Sequence, residues 1–152
     1  MENIKASKEY GSACSELSVM NSEFSEPVNV LFVDDEVTLL RLGTDLMEEC
    51  GFAVLVARDP LEAISIMADT VEIEIAVLDY HMPVMNGCAL ADRLRSMHPE
   101  LKIILYSGAI DIPQSEMTNV DAFISKSDDI RRLLSQVFEF AGVGLSSRGV
   151  NG

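Results

Sequence analysis

Hydrophobic positions along the chain alternate between short unbroken runs and longer stretches with helical spacing. The runs are rich in Val, Ile and Leu and contain few polar residues, which is typical of strands that are covered on both faces. They predict five strands, at residues 28–33, 53–57, 73–78, 101–106 and 122–125.

Amphipathic stretches lie between and after these runs. They predict helices at 39–50, 60–68, 87–97 and 127–142. Gly51 is placed to end the first helix, Pro60 to open the second and Ser127 to cap the last. The last helix has the clearest apolar stripe, which follows i, i+3, i+4, i+7, i+8 and i+11 from Ile130.

Strands that alternate with helices predict an α/β fold, in which a doubly wound, five-stranded parallel sheet carries helices on both faces. The predicted domain extends over residues 28–142. Residues 1–27 are polar and lack periodicity, so a disordered N-terminal arm is expected, and the Gly- and Ser-containing residues 143–152 predict a flexible C-terminal tail. We expect no second domain after the predicted one.

Composition narrows the classes of function. The 152 residues suit one domain, and 48% of them are hydrophobic, which is enough for a core. The net charge of −14 disfavours direct binding of nucleic acid. Neither a membrane span nor a secretory signal is visible, so a cytoplasmic location is expected. The three cysteines form no C-x-x-C pair, so we expect neither a disulfide framework nor a zinc site.

Polar residues suited to chemistry directly follow the predicted strands. Asp34 and Asp35 follow the first strand, and Asp79 follows the third. Ser107 and Lys126 follow the fourth and the fifth. In an open α/β sheet the carboxyl ends of the strands share one edge, where ligands bind. We therefore expect these side chains to lie together.

Three carboxylates at one point require a compensating charge. Mg²⁺ prefers such oxygen ligands, Lys126 adds a fixed positive charge, and the Ser107 hydroxyl can donate to an anionic oxygen. A metal ion, a carboxylate nucleophile and a cation around one point favour phosphoryl transfer to aspartate. The alternative is that these residues are ordinary solvated charges at loop ends.

Four segments, LFVDDE, LDYHMPVMNG, LYSGA and FISK, resemble the signature set of the receiver domain of two-component response regulators. The resemblance covers residues 28–142. Its most specific part is residues 79–87, which are similar to the family pattern D-x-x-M-P-x-M-(D/N)-G. It implies a flavodoxin-like sheet, with strand order 2-1-3-4-5, and a stand-alone phosphoacceptor switch.

The resemblance implies roles for the residues of this edge. Asp79 would be the phosphoacceptor, and Lys126 would contact the phosphoryl group. The expected ligands of Mg²⁺ are Asp34, Asp35, Asp79 and the backbone carbonyl of His81.

Two further residues match the switch positions of the family. Ser107 would be the switch hydroxyl, and Phe123, three residues before the lysine, the switch aromatic residue. The implied partners are a sensor histidine kinase or a histidine phosphotransfer protein, and a downstream protein or a second copy of the chain, with no direct binding to nucleic acid or membrane. Beyond self-phosphorylation and autodephosphorylation of the aspartate, no enzymatic activity is expected.

The chain departs from the family pattern in two places. Ser127 stands where a proline usually follows the lysine, so we expect a more relaxed loop around Lys126. The interval from Ser107 to Lys126 is a few residues short for a full helix and contains Pro113, which disfavours a helix interior. We therefore expect a short or irregular fourth helix, with at most one or two turns in residues 110–119.

Two other functions remain open from the sequence. The first is a receiver-like binding module that acts without phosphorylation. The second is a Mg²⁺-dependent phosphohydrolase with an aspartate nucleophile. Such enzymes typically carry D-x-D after the first strand, whereas Asp34 and Asp35 are adjacent and the expected nucleophile follows the third strand.

Overall fold

The computed structural model of this protein describes residues 26–70 and 72–142. Five parallel strands form one sheet in the order β2-β1-β3-β4-β5, as expected. The strands are β1 (Asn29–Val33), β2 (Ala53–Ala57), β3 (Ile73–Leu78), β4 (Lys102–Ser107) and β5 (Ala122–Ser125). This is the doubly wound architecture that the alternating pattern predicts.

Each predicted helix is present, with ends that differ from the prediction by at most three residues. The helices are α1 (Val37–Glu49), α2 (Pro60–Asp69), α3 (Gly87–Met97) and α4 (Ile130–Phe140). Between β4 and β5 there is only a 3₁₀ helix of four residues, Gln114–Met117. The expectation that the helix between the fourth and fifth strands is short or irregular is therefore confirmed.

Two apolar layers cover the sheet, and β1 shows how the sequence divides between them. Val30 and Phe32 pack into the layer formed with α1 and α4, whereas Leu31 and Val33 pack into the layer formed with α2 and α3. All four side chains are fully buried. Because both faces of the strand are covered, its sequence is apolar throughout instead of alternating.

Local capping explains where α1 ends and α2 begins. Gly51 follows α1 with a φ of 101°, a backbone conformation that glycine adopts without strain. At the start of α2, the Asp59 carboxylate accepts from Glu62 N–H at 2.8 Å, while Glu62 Oε1 accepts from Arg58 N–H at 2.8 Å. These two hydrogen bonds and Pro60 at the first helical position fix the start of the helix.

The predicted cap of the last helix is wrong. Asp129, not Ser127, is the N-cap of α4, and its Oδ1 accepts from Arg131 N–H at 2.9 Å. Both residue types cap helices well, so the sequence alone did not decide between them. The start at Ile130, which is 7% exposed, places the apolar stripe of α4 against the sheet.

Two of the sequence predictions concern the chain ends. The N-terminal arm, apart from residues 26 and 27, and the tail at 143–152 lie outside the described residues. Among the residues that the structure describes, no helix has the length and apolar character needed to cross a membrane.

Candidate functional site

The acidic pair lies where β1 ends, and its two members differ in environment. Asp34 is completely buried, whereas Asp35 is exposed. The Asp34 N–H donates to Ala57 O at 3.1 Å, and its Oδ1 accepts from Glu36 N–H at 2.9 Å. These two hydrogen bonds fix the Asp34 carboxylate at the carboxyl edge of the sheet.

The third aspartate lies at the end of the neighbouring strand β3. Asp79 is 6% exposed, and its N–H donates to Val33 O at 3.0 Å, which continues the pairing of β3 with β1. Its Oδ1 accepts a hydrogen bond from the following N–H, that of Tyr80, at 2.8 Å. The sheet therefore presents this carboxylate beside the acidic pair.

Carboxylate oxygens of Asp34, Asp35 and Asp79 all lie within 4.8 Å of one another. This confirms the expected meeting of these side chains. Three anionic oxygens so close together repel one another in the absence of a cation. Since hard oxygen ligands are what Mg²⁺ prefers, the donor set fits that ion.

Lys126, in the loop after β5, brings the positive charge that was expected. Its Nζ lies 2.8 Å from Asp34 Oδ2, 3.3 Å from Glu36 Oε1 and 3.4 Å from Asp79 Oδ1. The lysine side chain is only 18% exposed. Its ammonium group is therefore held in place by three carboxylates and shielded from most of the solvent.

The pKa values of the closest pair show the cost of this arrangement. Burial raises the pKa of the Asp34 carboxyl and outweighs the hydrogen bonds from Lys126 and from Glu36 N–H that lower it. Burial alone would lower the pKa of the Lys126 ammonium, but its hydrogen bond and attraction to Asp34, followed by Asp79 and Glu36, raise it overall. The site therefore stabilises the charged form of Lys126, whereas burial makes the negative charge of Asp34 unfavourable.

Ser107 ends β4 and is 1% exposed. Its Oγ accepts from Ala109 N–H at 3.2 Å, and this leaves the hydroxyl hydrogen able to donate to another oxygen. Its backbone carbonyl accepts from Lys126 N–H at 3.0 Å. The same residue therefore links the expected switch hydroxyl to the loop that carries the lysine.

The loop after Lys126 uses serine where a proline was expected from the family pattern. Ser127 N–H donates to Ser125 Oγ at 3.2 Å, and the two hydroxyl oxygens lie 2.7 Å apart. A proline has no N–H and would not form the first of these bonds. Hydrogen bonds between neighbouring serines thus shape this loop.

Phe123 lies on β5 and is 40% exposed. Together with residues after β4 it lines a cavity of about 200 Å³, whose other lining residues are Ala109, Ile110, Ile112, Gln114 and Met117. The cavity lies next to Ser107, two residues before Ala109 in the chain. An aromatic side chain beside a cavity has space to change position.

The loop between β3 and α3 is strongly bent. Val84 has a φ of 77°, and Met85 N–H donates to Pro83 O at 2.9 Å, which closes a tight turn around it. A positive φ is rare for a β-branched residue and costs about 1–3 kcal/mol. His81, in the same loop, is exposed, with its ring edge-on to that of Tyr80; its expected role as a carbonyl ligand stays a prediction.

The start of α3 packs directly against the backbone of Asp79. Gly87 N–H donates to Tyr80 O at 2.8 Å, and a Cβ atom at Gly87 would overlap Asp79 O. No residue with a side chain fits there unless the backbone of Asp79 moves. This close approach explains the glycine at the end of the motif.

Three residues near the site were not among the sequence predictions. Glu36 contacts the Lys126 ammonium, and the Tyr80 hydroxyl donates to Glu116 Oε1 at 2.9 Å. Glu36 directly follows the acidic pair in the sequence, so its position near the site could have been predicted. Glu116 offered none, because 36 residues separate it from Tyr80 and its segment lacks periodicity.

Comparison with known proteins agrees with the geometry of this site. The family model for the response regulator receiver domain matches residues 30–138. The chain is 31% identical over 122 residues to the sensor kinase CckA of Brucella abortus, which covers 78% of this chain and 13% of that protein. The chain spans between 13% and 47% of the length of the first curated relatives that it matches.

Solved structures show the same likeness. A CheY-like receiver domain protein from Methanospirillum hungatei is 24% identical, with a TM-score of 0.72 and coverage of 78% of this chain and 97% of the other. A CheX-CheY-BeF₃-Mg²⁺ complex from Borrelia burgdorferi includes a chain that is 26% identical, with a TM-score of 0.67 and coverage of 75% and 89%.

The close contact at Gly87 gives a prediction about stability. Gly87→Ala is expected to lower the free energy of unfolding by about 1–3 kcal/mol, because the new methyl group overlaps the Asp79 carbonyl. Urea unfolding measures this change.

Gly108→Ala is the matched control, since a Cβ atom at Gly108 meets nothing within 4 Å. Its expected effect is within about 0.5 kcal/mol. Equal effects of the two substitutions would contradict the role assigned to the contact at Gly87.

Proposed function

This chain belongs to the family of response regulator receiver domains, and we propose that it is a phosphoacceptor switch in which the Asp79 carboxylate receives the phosphoryl group. The observation that carries the proposal is the position of this nearly buried carboxylate, with its Oδ1 3.4 Å from the Lys126 ammonium and beside two further aspartates. The family match makes the chain homologous to the phosphoacceptor domains of two-component systems.

The transfer requires a nucleophile and nearby positive charge that offsets the negative charge of the phosphoryl oxygens and the carboxylates. A carboxylate oxygen of Asp79 attacks phosphorus and forms the new P–O bond, while the bond from phosphorus to the donor breaks and the donor keeps its electron pair. The Lys126 ammonium lies close enough to Asp79 to pair with the arriving phosphoryl oxygens. In the resting protein the same ammonium neutralises part of the acidic cluster.

We further propose that Asp34, Asp35, Asp79 and the backbone carbonyl of His81 hold a Mg²⁺ ion. The clustering of the three carboxylates supports this assignment, as does the Mg²⁺ of the similar CheX-CheY-BeF₃ complex from Borrelia burgdorferi. When bound, the ion supplies positive charge that stabilises the phosphoryl oxygens. The chain's own carboxylates supply the ligands and the position of the site.

Ser107 and Phe123 are proposed to respond to phosphorylation. The Ser107 hydroxyl hydrogen is available for a phosphoryl oxygen, since its Oγ already accepts from Ala109 N–H. A shift of Ser107 alters the cavity beside it, into which the half-exposed Phe123 ring can move. The chemical change at Asp79 thereby reaches the surface formed by β5 and the segment before it.

The proposed partners follow from this chemistry. The phosphoryl donor would be a sensor histidine kinase or a histidine phosphotransfer protein, and a downstream protein or a second copy of the chain would receive the signal. A sensor kinase is among the relatives of this chain. We propose no catalytic activity beyond self-phosphorylation and autodephosphorylation of the aspartate.

The acceptor assignment is tested by mass spectrometry after incubation with acetyl phosphate and Mg²⁺. Wild-type protein is expected to gain one phosphoryl group on Asp79, and Asp79→Asn none, because an amide is a poor nucleophile of nearly the same shape. Lys126→Ala is expected to react much more slowly, since the phosphoryl oxygens lose their cationic partner.

This assay, together with a phosphate-release assay on a panel of phosphoesters, separates the other functions. An equal adduct on Asp79→Asn would show that another residue is the acceptor. Continuous release of phosphate from many phosphoesters would favour a phosphohydrolase, and no reaction at all would favour a binding module that works without phosphorylation.

The metal site predicts that Mg²⁺ stabilises the fold. A ligand that binds only the native state adds about 2.7 kcal/mol at a concentration 100 times its Kd. Asp35→Asn should weaken this effect and raise the metal-free melting temperature by up to about 4 °C. Relief of repulsion at an exposed site is worth about 0.2–1 kcal/mol, and 1 kcal/mol shifts Tm by about 2–4 °C in a chain of about 150 residues.

Glu100→Gln is the control for this measurement, because Glu100 is also exposed but precedes β4 at the opposite edge of the sheet. It should leave the Mg²⁺-dependent shift unchanged. A lower metal-free melting temperature for Asp35→Asn would argue against repulsion among the three aspartates.

A further inference from the structure

The connection between β4 and β5, residues 108–121, is held unevenly, and we call it the β4–β5 segment. Its C-terminal part is tied to α3 by side chains. Arg95 Nη2 lies 2.6 Å from Asp121 Oδ2, and Asn119 Nδ2 donates to Asp92 Oδ1 at 2.7 Å. Asp121 Oδ2 also accepts from Ile103 N–H at 2.8 Å, so this part is joined to the sheet as well.

The N-terminal part of the segment has a different support. Ile110 is 90% exposed, and no helix or strand is assigned at residues 108–113. Side-chain hydrogen bonds hold it at its two ends: the Ser107 hydroxyl at the start and the Tyr80 hydroxyl at Glu116. Apolar contacts of Ile112 with the core lie between these ends.

Both of these end contacts originate next to the acceptor carboxylate. Ser107 is buried at the same sheet edge as Asp79. Tyr80 directly follows Asp79, and it makes two hydrogen bonds in series. Its N–H donates to Asp79 Oδ1 at 2.8 Å, and its hydroxyl donates to Glu116 Oε1 at 2.9 Å.

The Tyr80 side chain is suited to transmit a displacement. It packs against the core layer of α2 and α3 and lies edge-on to the His81 ring, with 5.0 Å between the ring centroids. A tyrosine has only two side-chain torsions before its rigid ring, so a shift of its backbone moves the hydroxyl with it. Because a phenolic hydroxyl is protonated at neutral pH, the Tyr80 hydroxyl is the donor in its hydrogen bond to Glu116 Oε1.

We propose that Tyr80 is a positioning residue that couples the state of the Asp79 carboxylate to the β4–β5 segment through its hydrogen bond to Glu116. The proposal rests on the function proposed above, with Asp79 as acceptor. Once a carboxylate oxygen carries a phosphoryl group, the Asp79 acyl group no longer bears the charge that strengthens the bond from Tyr80 N–H. The Tyr80 backbone is then freer to move, and the bond to Glu116 weakens because hydrogen bonds tolerate little misalignment.

Hydrogen exchange on the full chain tests this coupling, with and without beryllofluoride and Mg²⁺ as the phosphoryl mimic. In wild-type protein, the mimic should speed exchange of amides in residues 110–117 about two- to tenfold, the range that one hydrogen bond supplies. Tyr80→Phe, which removes only the hydroxyl, should exchange faster there without the mimic. Its additional response to the mimic should be less than half that of the wild-type protein.

Substitutions at Glu116 separate a coupling role from a general structural one. Glu116→Ala should reproduce Tyr80→Phe, while Glu116→Gln should be intermediate because an amide oxygen accepts a weaker bond. Glu100→Ala is the matched control and should behave as wild type. Melting temperatures with and without beryllofluoride show whether each variant folds and still binds the mimic.

The outcomes separate this proposal from the function on which it rests. Failure of the function appears as no phosphoryl adduct on wild-type protein. An adduct on the wild-type protein, together with the same response to the mimic in wild-type, Tyr80→Phe and Glu116→Ala proteins, would overturn the coupling alone. No change of exchange in residues 110–117 of wild-type protein that binds beryllofluoride would also overturn it.

Discussion

One ammonium group among buried carboxylates is the interaction on which the site depends. Asp34 is fully buried at the end of a central strand, and Lys126 is the cation that the described residues place within 4 Å of it. Lys126 follows β5, which is separated from β1 by β3 and β4 in the sheet order. The lysine therefore reaches the aspartates only when the strands are assembled in this order. The charge balance of the site thus depends on the topology of the sheet.

The strands and the site edge could be predicted because buried parallel strands have a simple sequence pattern. The runs at Ala53–Ala57, Ile73–Leu78 and Ala122–Ser125 have the predicted bounds, since apolar residues stop where the backbone leaves the core. Because the carboxyl ends of parallel strands share one edge of the sheet, the aspartates, the serine and the lysine that follow them could be predicted to lie together. The start of the last helix could not be predicted, because Ser127 and Asp129 are equally good caps by residue type, and the structure has Asp129 as the cap.

Contacts across the irregular segment could not be predicted. Tyr80 and Glu116 are joined by one hydrogen bond across 36 residues, and neither periodicity nor a motif marks Glu116. The serine pair after β5 is similar, since a residue type in place of the usual proline says little about which hydroxyl and N–H will meet. Such contacts depend on where the loops lie in the folded protein, and many different local sequences are compatible with the same loop position.

The short 3₁₀ helix changes how the β4–β5 segment is stabilised. A full helix is held by its own backbone hydrogen bonds, whereas four residues of 3₁₀ helix form few of them. Side-chain hydrogen bonds with α3 and Tyr80 therefore contribute much of what holds the segment to the rest of the domain. One such hydrogen bond contributes about 0.5–1.5 kcal/mol, while a domain is stable by about 5–15 kcal/mol. Loss of the hydrogen bond between Tyr80 and Glu116 therefore loosens residues 110–117 without unfolding the sheet, and a chemical change at the neighbouring carboxylate is sufficient to weaken that bond.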